Sequence, residues 1–247
     1  MLKFFRKIRR QLFIENKISR YFLYASGEII LVVIGILIAI QINDWNRESV
    51  LLSEEKEAYQ IIITDLKRDS ILFEFYKKSC NDYLDSYFHL NNMKKGKGYF
   101  KNSSADLIVS NIEFNPVVQK NNLLIIDKLR NKIIRNQLNS YFRRLNQVQQ
   151  ATQEFNSLIT DKSRPFFLEE NNIFKNDFVF DNHDRTFPPF KGVSVIDTIS
   201  LKNTFNKKYF TPILSELRMG IGFYQAALDV GANENHKLIK VLQKEIK

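Results

Sequence analysis

The chain has 247 residues, a formal net charge of +10 and 44% hydrophobic residues. That apolar share excludes a chain disordered throughout, and the length suits one domain of about 200 residues with an added anchor. Glycine (8) and proline (5) are scarce, which predicts long helices rather than many short strands, and the single cysteine, Cys80, excludes an intramolecular disulfide.

The charge is uneven. Residues 1–24 hold seven Lys and Arg against Glu15 alone, so +6 of the +10 sits beside the most apolar part of the chain. A basic chain invites a nucleic-acid reading, but this placement is that of a membrane-topology signal, and no nucleic-acid partner is expected. Within the first segment Phe5, Ile8, Leu12 and Phe13 recur at helical spacing, while Lys3, Arg6, Lys7, Arg9 and Arg10 line the remainder. This pattern predicts a short amphipathic helix on the inner leaflet, with those five cations against anionic headgroups. Topology control alone explains the same charges.

The next element is the longest apolar run, Ile29–Ile40, broken only by Gly35. Extended from Tyr21 to Ile42 it has 22 residues, with Ser26, Glu28 and Gln41 as its clearly polar members. At 1.5 Å per residue that covers roughly 33 Å, the thickness of a hydrocarbon core. Tyr21 and Tyr24 at one end and Trp45 at the other match interfacial aromatic belts. A buried helix of a soluble domain would not need either feature. A cleaved signal peptide would need a small-x-small site, and Gln41–Arg47 offers none, so an uncleaved signal anchor is predicted. Positive-inside counting puts residues 1–20 in the cytoplasm, residues 21–45 in the inner membrane and residues 46–247 in the periplasm. The flank from Asp44 to Glu57, acidic on balance, agrees with that orientation. Gly35 and Ala39 form a small-xxx-small pair, and Glu28, seven residues before Gly35, shares their face. A carboxylate inside a span is costly, so the Glu28–Gly35–Ala39 face is a candidate helix-packing surface, although Glu28 near the cytoplasmic end can also serve topology alone.

The stretch Lys3–Asn46 carries KFFRKIR, the triplet Glu15-Asn16-Lys17, the run Gly27–Ala39, and Gln41-Ile42-Asn43 leading to Trp45-Asn46. It resembles the opening of a family of uncharacterised single-pass membrane proteins common in Bacteroidota, known only as a domain of unknown function. Glu28 and Gly35 sit at that family's places, and Asp44 stands where its members usually carry Asn. Beyond residue 46 the likeness is looser, mainly Leu129–Ile133. The resemblance implies a Gram-negative envelope location with the large domain in the periplasm, and supplies no activity, ligand or catalytic residue.

From Val50 to about Met93 a helix is predicted. Tyr59, Ile62, Leu66, Phe73, Tyr76, Cys80, Tyr83, Leu84, Tyr87 and Leu90 follow three- and four-residue steps, and Asp65, Lys67, Arg68, Asp69, Lys77, Lys78 and Asp82 take other faces. Without Gly or Pro, this helix can continue the membrane span. Lys94–Gly98 reads as a loop. Ser103 or Ser104 can cap a short helix to about Glu113, broken at Asn115-Pro116. A second long helix is expected from about Leu123 to Thr160, with Ile126, Leu129, Ile133, Leu138, Tyr141, Phe142, Leu145, Val148, Phe155 and Leu158 as its buried stripe, and Pro165 either ends it or begins the next short turn. Residues 171–198 form a small irregular or hairpin insertion in which Phe178–Phe180 and Val193–Ile196 can pair. Helices over about Leu201–Leu228, kinked or split near Pro212, and Glu234–Ile246 close the chain, with Gly231 and Asn233 between them. The fold class is therefore mainly α: one N-terminal transmembrane helix followed by an extracytoplasmic helical bundle.

No phosphate loop, nucleophile elbow, HExxH or zinc-spaced Cys/His set occurs, and no cofactor is expected. Asp181–Asp184 is the most metal-like run, but such runs are usually solvated loops. Cys80, on the apolar stripe, reads as a buried structural thiol. The aromatic crowd Phe73, Phe75, Tyr83, Tyr87 and Phe88 reads mostly as core, with a ligand groove as the alternative. About 20 cytoplasmic residues leave no room for an output domain. The expected function is thus a non-enzymatic interaction or assembly subunit, its partners the lipid bilayer and either a second copy of the chain or an unidentified membrane protein. A ligand-binding sensor module and a tethered periplasmic enzyme are the alternatives, and a Tyr- and Phe-lined pocket between long helices would favour the sensor.

Overall fold

A computed structural model describes residues 18–98, 105–175 and 196–246. Among them the structure is mainly α-helical and falls into two compact units, Met1–Glu57 and Ala58–Lys247. Helix α1, Ile18–Lys94, contributes to both. No glycine or proline occurs between Gly35 and Gly96, so nothing in the covalent chain interrupts its hydrogen-bond ladder. It ends where Gly96, at φ 71°, lets Lys97 N–H reach back to Asn92 O at 2.8 Å, a Schellman closure.

In the first unit, the N-terminal part of α1 is long and apolar enough to cross a membrane, and none of that stretch is buried within the chain. Leu31, Leu37 and Trp45 are exposed. An aqueous surface of that composition would be unstable, so the apolar stretch requires a non-aqueous surround. The side chains of Tyr21 and Tyr24, like residues 1–17, lie outside the described residues.

The second unit is a bundle of three long helices. The C-terminal part of α1 presents Tyr59, Ile62, Leu66, Phe73, Tyr76, Cys80, Tyr83, Tyr87 and Leu90 to the core, as the helical spacing predicts, with Leu84 half-buried. Helix α2 is Val117–Ile126, α3 is Lys132–Leu158, α4 is Thr198–Thr204 and α5 is Phe210–Ile246. Against α5, residues of α1 and α3 pair in opposite order. Ser70 meets Asn235 and Lys94 meets Thr211, while Tyr141 meets Asn235 and Phe155 meets Gly220. Helices α1 and α3 thus run parallel to each other and antiparallel to α5.

Three expectations need correction, and two open alternatives, at Pro165 and Pro212, are decided. The single helix from Leu123 to Thr160 is two, because Asn131 caps α3 by accepting from Ile133 N–H (3.0 Å) and Ile134 N–H (3.2 Å). Starting there puts Ile134 in the core and leaves Ile133 exposed. Pro165 takes the second of its two expected roles and begins the next short turn. It opens a π-helical turn, Pro165–Glu170, directly after another over Ile159–Ser163, and these wide turns accommodate a residue that cannot donate to the α-helical ladder. The break at Gly231 and Asn233 is absent, whereas the split expected near Pro212 occurs just before it, between α4, which ends at Thr204, and α5, which begins at Phe210. Helix α5 runs through Gly231, where a Cβ would lie 3.0 Å from the Phe73 ring, so the glycine marks a close helix crossing. Pro212 falls in the first turn, where its missing N–H costs nothing. The short helix to Glu113 is only a 3-10 turn, Ala105–Ile108, followed by an extended segment, and its expected caps Ser103 and Ser104 lie outside the described residues. The hairpin of Phe178–Phe180 with Val193–Ile196 also lies outside them except for Ile196, which forms an isolated antiparallel bridge with Phe174.

Candidate functional site

The residues expected to pack the span against another helix, Glu28, Gly35 and Ala39, lie on described backbone. Gly35 and Ala39 are exposed and Glu28 is half-buried, and a Cβ built on Gly35 would meet nothing within 4 Å. Spacings of seven and four residues keep the three on one face of α1. Lys3, Arg6, Lys7, Arg9 and Arg10 lie outside the described residues, as do Asp181–Asp184. Among the described residues no group of three or more His, Cys, Asp and Glu could hold a metal ion.

In the second unit the side chains converge on the extended segment between residues 109 and 116. It pairs with no strand, so its backbone polar groups must be satisfied another way. Helices supply them. Tyr83 donates to Asn111 O at 3.0 Å, and Tyr224 donates to Glu113 O at 3.0 Å. Asn156 both accepts from Ile112 N–H and donates to Ile112 O, each at 2.9 Å. Tyr76 accepts from Asn115 N–H at 3.3 Å, and Arg164, at the junction of the two π turns, donates to Val109 O at 2.9 Å and Asn111 Oδ1 at 3.2 Å.

Between this segment, α1 and α5 lies a cavity of about 230 Å³, lined by Phe75, Tyr76, Ser79, Cys80, Tyr83, Asn111, Ile112, Glu113 and Tyr224. Its floor is buried and aromatic, whereas Phe75 at the mouth is 65% exposed. Phe75 and Tyr76 meet edge to face with ring centroids 5.6 Å apart. Burial pushes the Cys80 thiol up to about 12, with the Asp229 carboxylate adding to it, so the thiol stays protonated and unreactive. Burial raises the Tyr76 phenol too, and the charges of Glu113 and Asp69 raise it further. The predicted aromatic crowd divides: Phe73, Tyr83 and Tyr87 are core, while Phe75 and Phe88 are exposed.

The sequence reading missed a second polar centre. Asp65 and Asp69, assigned there to faces away from the core, are 4% and 1% exposed. Asp69 accepts from Val117 N–H at 2.6 Å and Val118 N–H at 3.3 Å, capping α2 from another helix where Pro116 offers no side-chain cap. Asp65 accepts from Asn122 (2.9 Å), Asn121 (3.1 Å) and Arg68 (3.1 Å). Asn235 accepts from Ser70 at 2.6 Å and donates to Tyr141 Oη at 2.9 Å and Leu66 O at 3.1 Å. The i, i+4 spacing of Asp65 and Asp69 is the only local signal, and on a helix it reads equally as a solvated face. This arrangement holds α2 against α1. The carboxylates are occupied by structural donors and offer no free site for general acid or base work.

Comparison with protein-family profiles, with curated proteins and with solved structures gives no match.

Proposed function

We propose that this chain is a single-pass, inner-membrane protein of a Gram-negative envelope, with its N-terminus in the cytoplasm and its helical bundle in the periplasm. It acts there as a non-enzymatic interaction or assembly subunit. The carrying observation is the apolar part of α1, which is long and apolar enough to cross a membrane, buries none of itself in its own chain and presents Gly35 with open space around it. A span of this kind packs on lipid or on another helix, and the small pair Gly35 and Ala39 lets a second backbone come close. The basic segment 1–24 supports the orientation, and the resemblance of Lys3–Asn46 to Bacteroidota membrane proteins supports the compartment. The test is crosslinking in native membranes followed by affinity purification, comparing wild type with Gly35→Leu and Glu28→Gln. A partner, or a second copy, recovered with wild type and depleted with the variants is expected. An identical set from all three would reduce the span to an anchor.

A second reading, a ligand-binding sensor, is favoured by one specific observation: the tyrosine- and phenylalanine-lined cavity between α1, α5 and residues 111–113. In this reading the bundle takes a small molecule and passes its occupancy to a membrane partner.

A further inference from the structure

We propose that the cavity beneath Phe75 is a binding site for a small organic ammonium ion. The inference rests on the sensor reading and names its ligand class.

The first argument is the wall chemistry. Phe75, Tyr76, Tyr83 and Tyr224 supply aromatic rings, and among the described residues lining the cavity the only charged one is Glu113. Aromatic faces carry negative quadrupole potential and attract cations, more strongly as water is excluded. A lone carboxylate beside such rings selects positive charge over a neutral ligand of equal shape.

The second argument is the local field. Although the whole chain carries +10, the charges felt at the Tyr76 phenol in the cavity wall are anionic, Glu113 and Asp69. The nearby cations already have partners, Arg164 through the cavity residue Asn111. Lys77 binds Asp229 at 2.9 Å with Glu74 at 3.9 Å, and Arg164 is held by Val109 O and Asn111 Oδ1. No ion pair between Glu113 and a cation occurs among the described residues.

The third argument is hydrogen bonding. The hydroxyls of Tyr83 and Tyr224 donate to the backbone of residues 111 and 113. Both residues line the cavity while their donors are already used. A tetraalkylammonium group needs none. The volume of about 230 Å³ lies under the roughly 300 Å³ at which drug-sized ligands begin, and suits a choline-sized ion.

The experiment is calorimetric titration of the full chain in maltoside micelles with choline chloride. Sodium chloride serves as the ionic-strength control, and 3,3-dimethylbutanol is the neutral molecule of the same shape. Saturable binding of choline is expected, with the neutral analogue weaker by about tenfold. Phe75 is exposed and Glu113 lies on the surface, so Phe75→Leu and Glu113→Gln leave the core intact, and each should weaken choline about tenfold. Equal binding of the neutral analogue, or unchanged affinity in both variants, overturns the cation assignment while the cavity stays a ligand site. No saturable binding of either molecule overturns the cation assignment and removes the support for the sensor reading. Neither result touches the crosslinking test of the span.

Discussion

Asp69 makes the energetics of the bundle depend on pH in an unusual direction. Its carboxyl is buried among α1, α2 and their neighbours, and burial is the largest influence on it, raising it from 3.8 to about 6. The Asp65 charge adds to the rise, and the two N–H bonds from Val117 and Val118 oppose it without cancelling it. A carboxyl raised in the folded state binds its proton more tightly there than in the unfolded chain. Its stabilising contribution is therefore complete below pH about 4 and is lost as pH rises through about 6. A rise from 3.8 to about 6 corresponds to about 3 kcal/mol in full, of which about 2 kcal/mol is present at pH 4.5. The assay is urea unfolding of the full chain in maltoside micelles, followed by circular dichroism at pH 7.5 and pH 4.5, for wild type and Asp69→Asn. Other carboxylates titrate in both proteins, so the difference between them isolates Asp69. Relative to wild type, the Asn variant should lose about 2 kcal/mol on going from pH 7.5 to 4.5. Parallel pH profiles, or a variant that gains on acidification, would refute the reasoning.

Three further substitutions or probes test the packing. Gly231→Leu drives side-chain atoms into the Phe73 ring, already 3.0 Å from an added Cβ, and should cost about 1–3 kcal/mol by thermal unfolding. Asn235→Leu strips partners from Tyr141 Oη and Ser70 and should cost about 1–3 kcal/mol, whereas an unchanged melting curve would mean the three-residue network is idle. Cys80, 1% exposed with its thiol pushed up to about 12, should react with a membrane-impermeant maleimide at pH 8 only after denaturation, and rapid labelling of the native chain would contradict its place in the core.

What could be read from the chain followed from local periodicity. The stripe from Tyr59 to Leu90 repeats at three and four residues over a stretch with no helix breaker, so its buried apolar positions were assignable one by one, Ile63 excepted. The apolar run from Ile29 to Ile40 was legible for the same reason. The errors arose where partners lie far away in sequence. Asp65 and Asp69 look like members of a charged face, and only the N-terminus of α2, about fifty residues on, makes their burial tolerable. Gly231 reads as a terminator unless Phe73 is known to cross there. Asn131 was a locally readable cap, hidden by the absence of glycine or proline around it. Glu113 and Phe75 gave no warning that they share a cavity, because the extended segment is brought to α1 by tyrosine hydroxyls rather than by any periodic pattern.

That segment has a consequence for how its sequence can change over time. A strand in a sheet tolerates side-chain replacement because its neighbours read only backbone, and a loop tolerates length changes because nothing reads it. Residues 109–116 allow neither freedom. Tyr83 addresses the neighbouring carbonyls of Ser110 and Asn111, and Asn156, Tyr224 and Tyr76 each address one residue, so a one-residue insertion would misdeliver every address beyond it. Descendants of this chain should therefore differ here by substitution and never by length, with the three tyrosines and the asparagine changing only in concert.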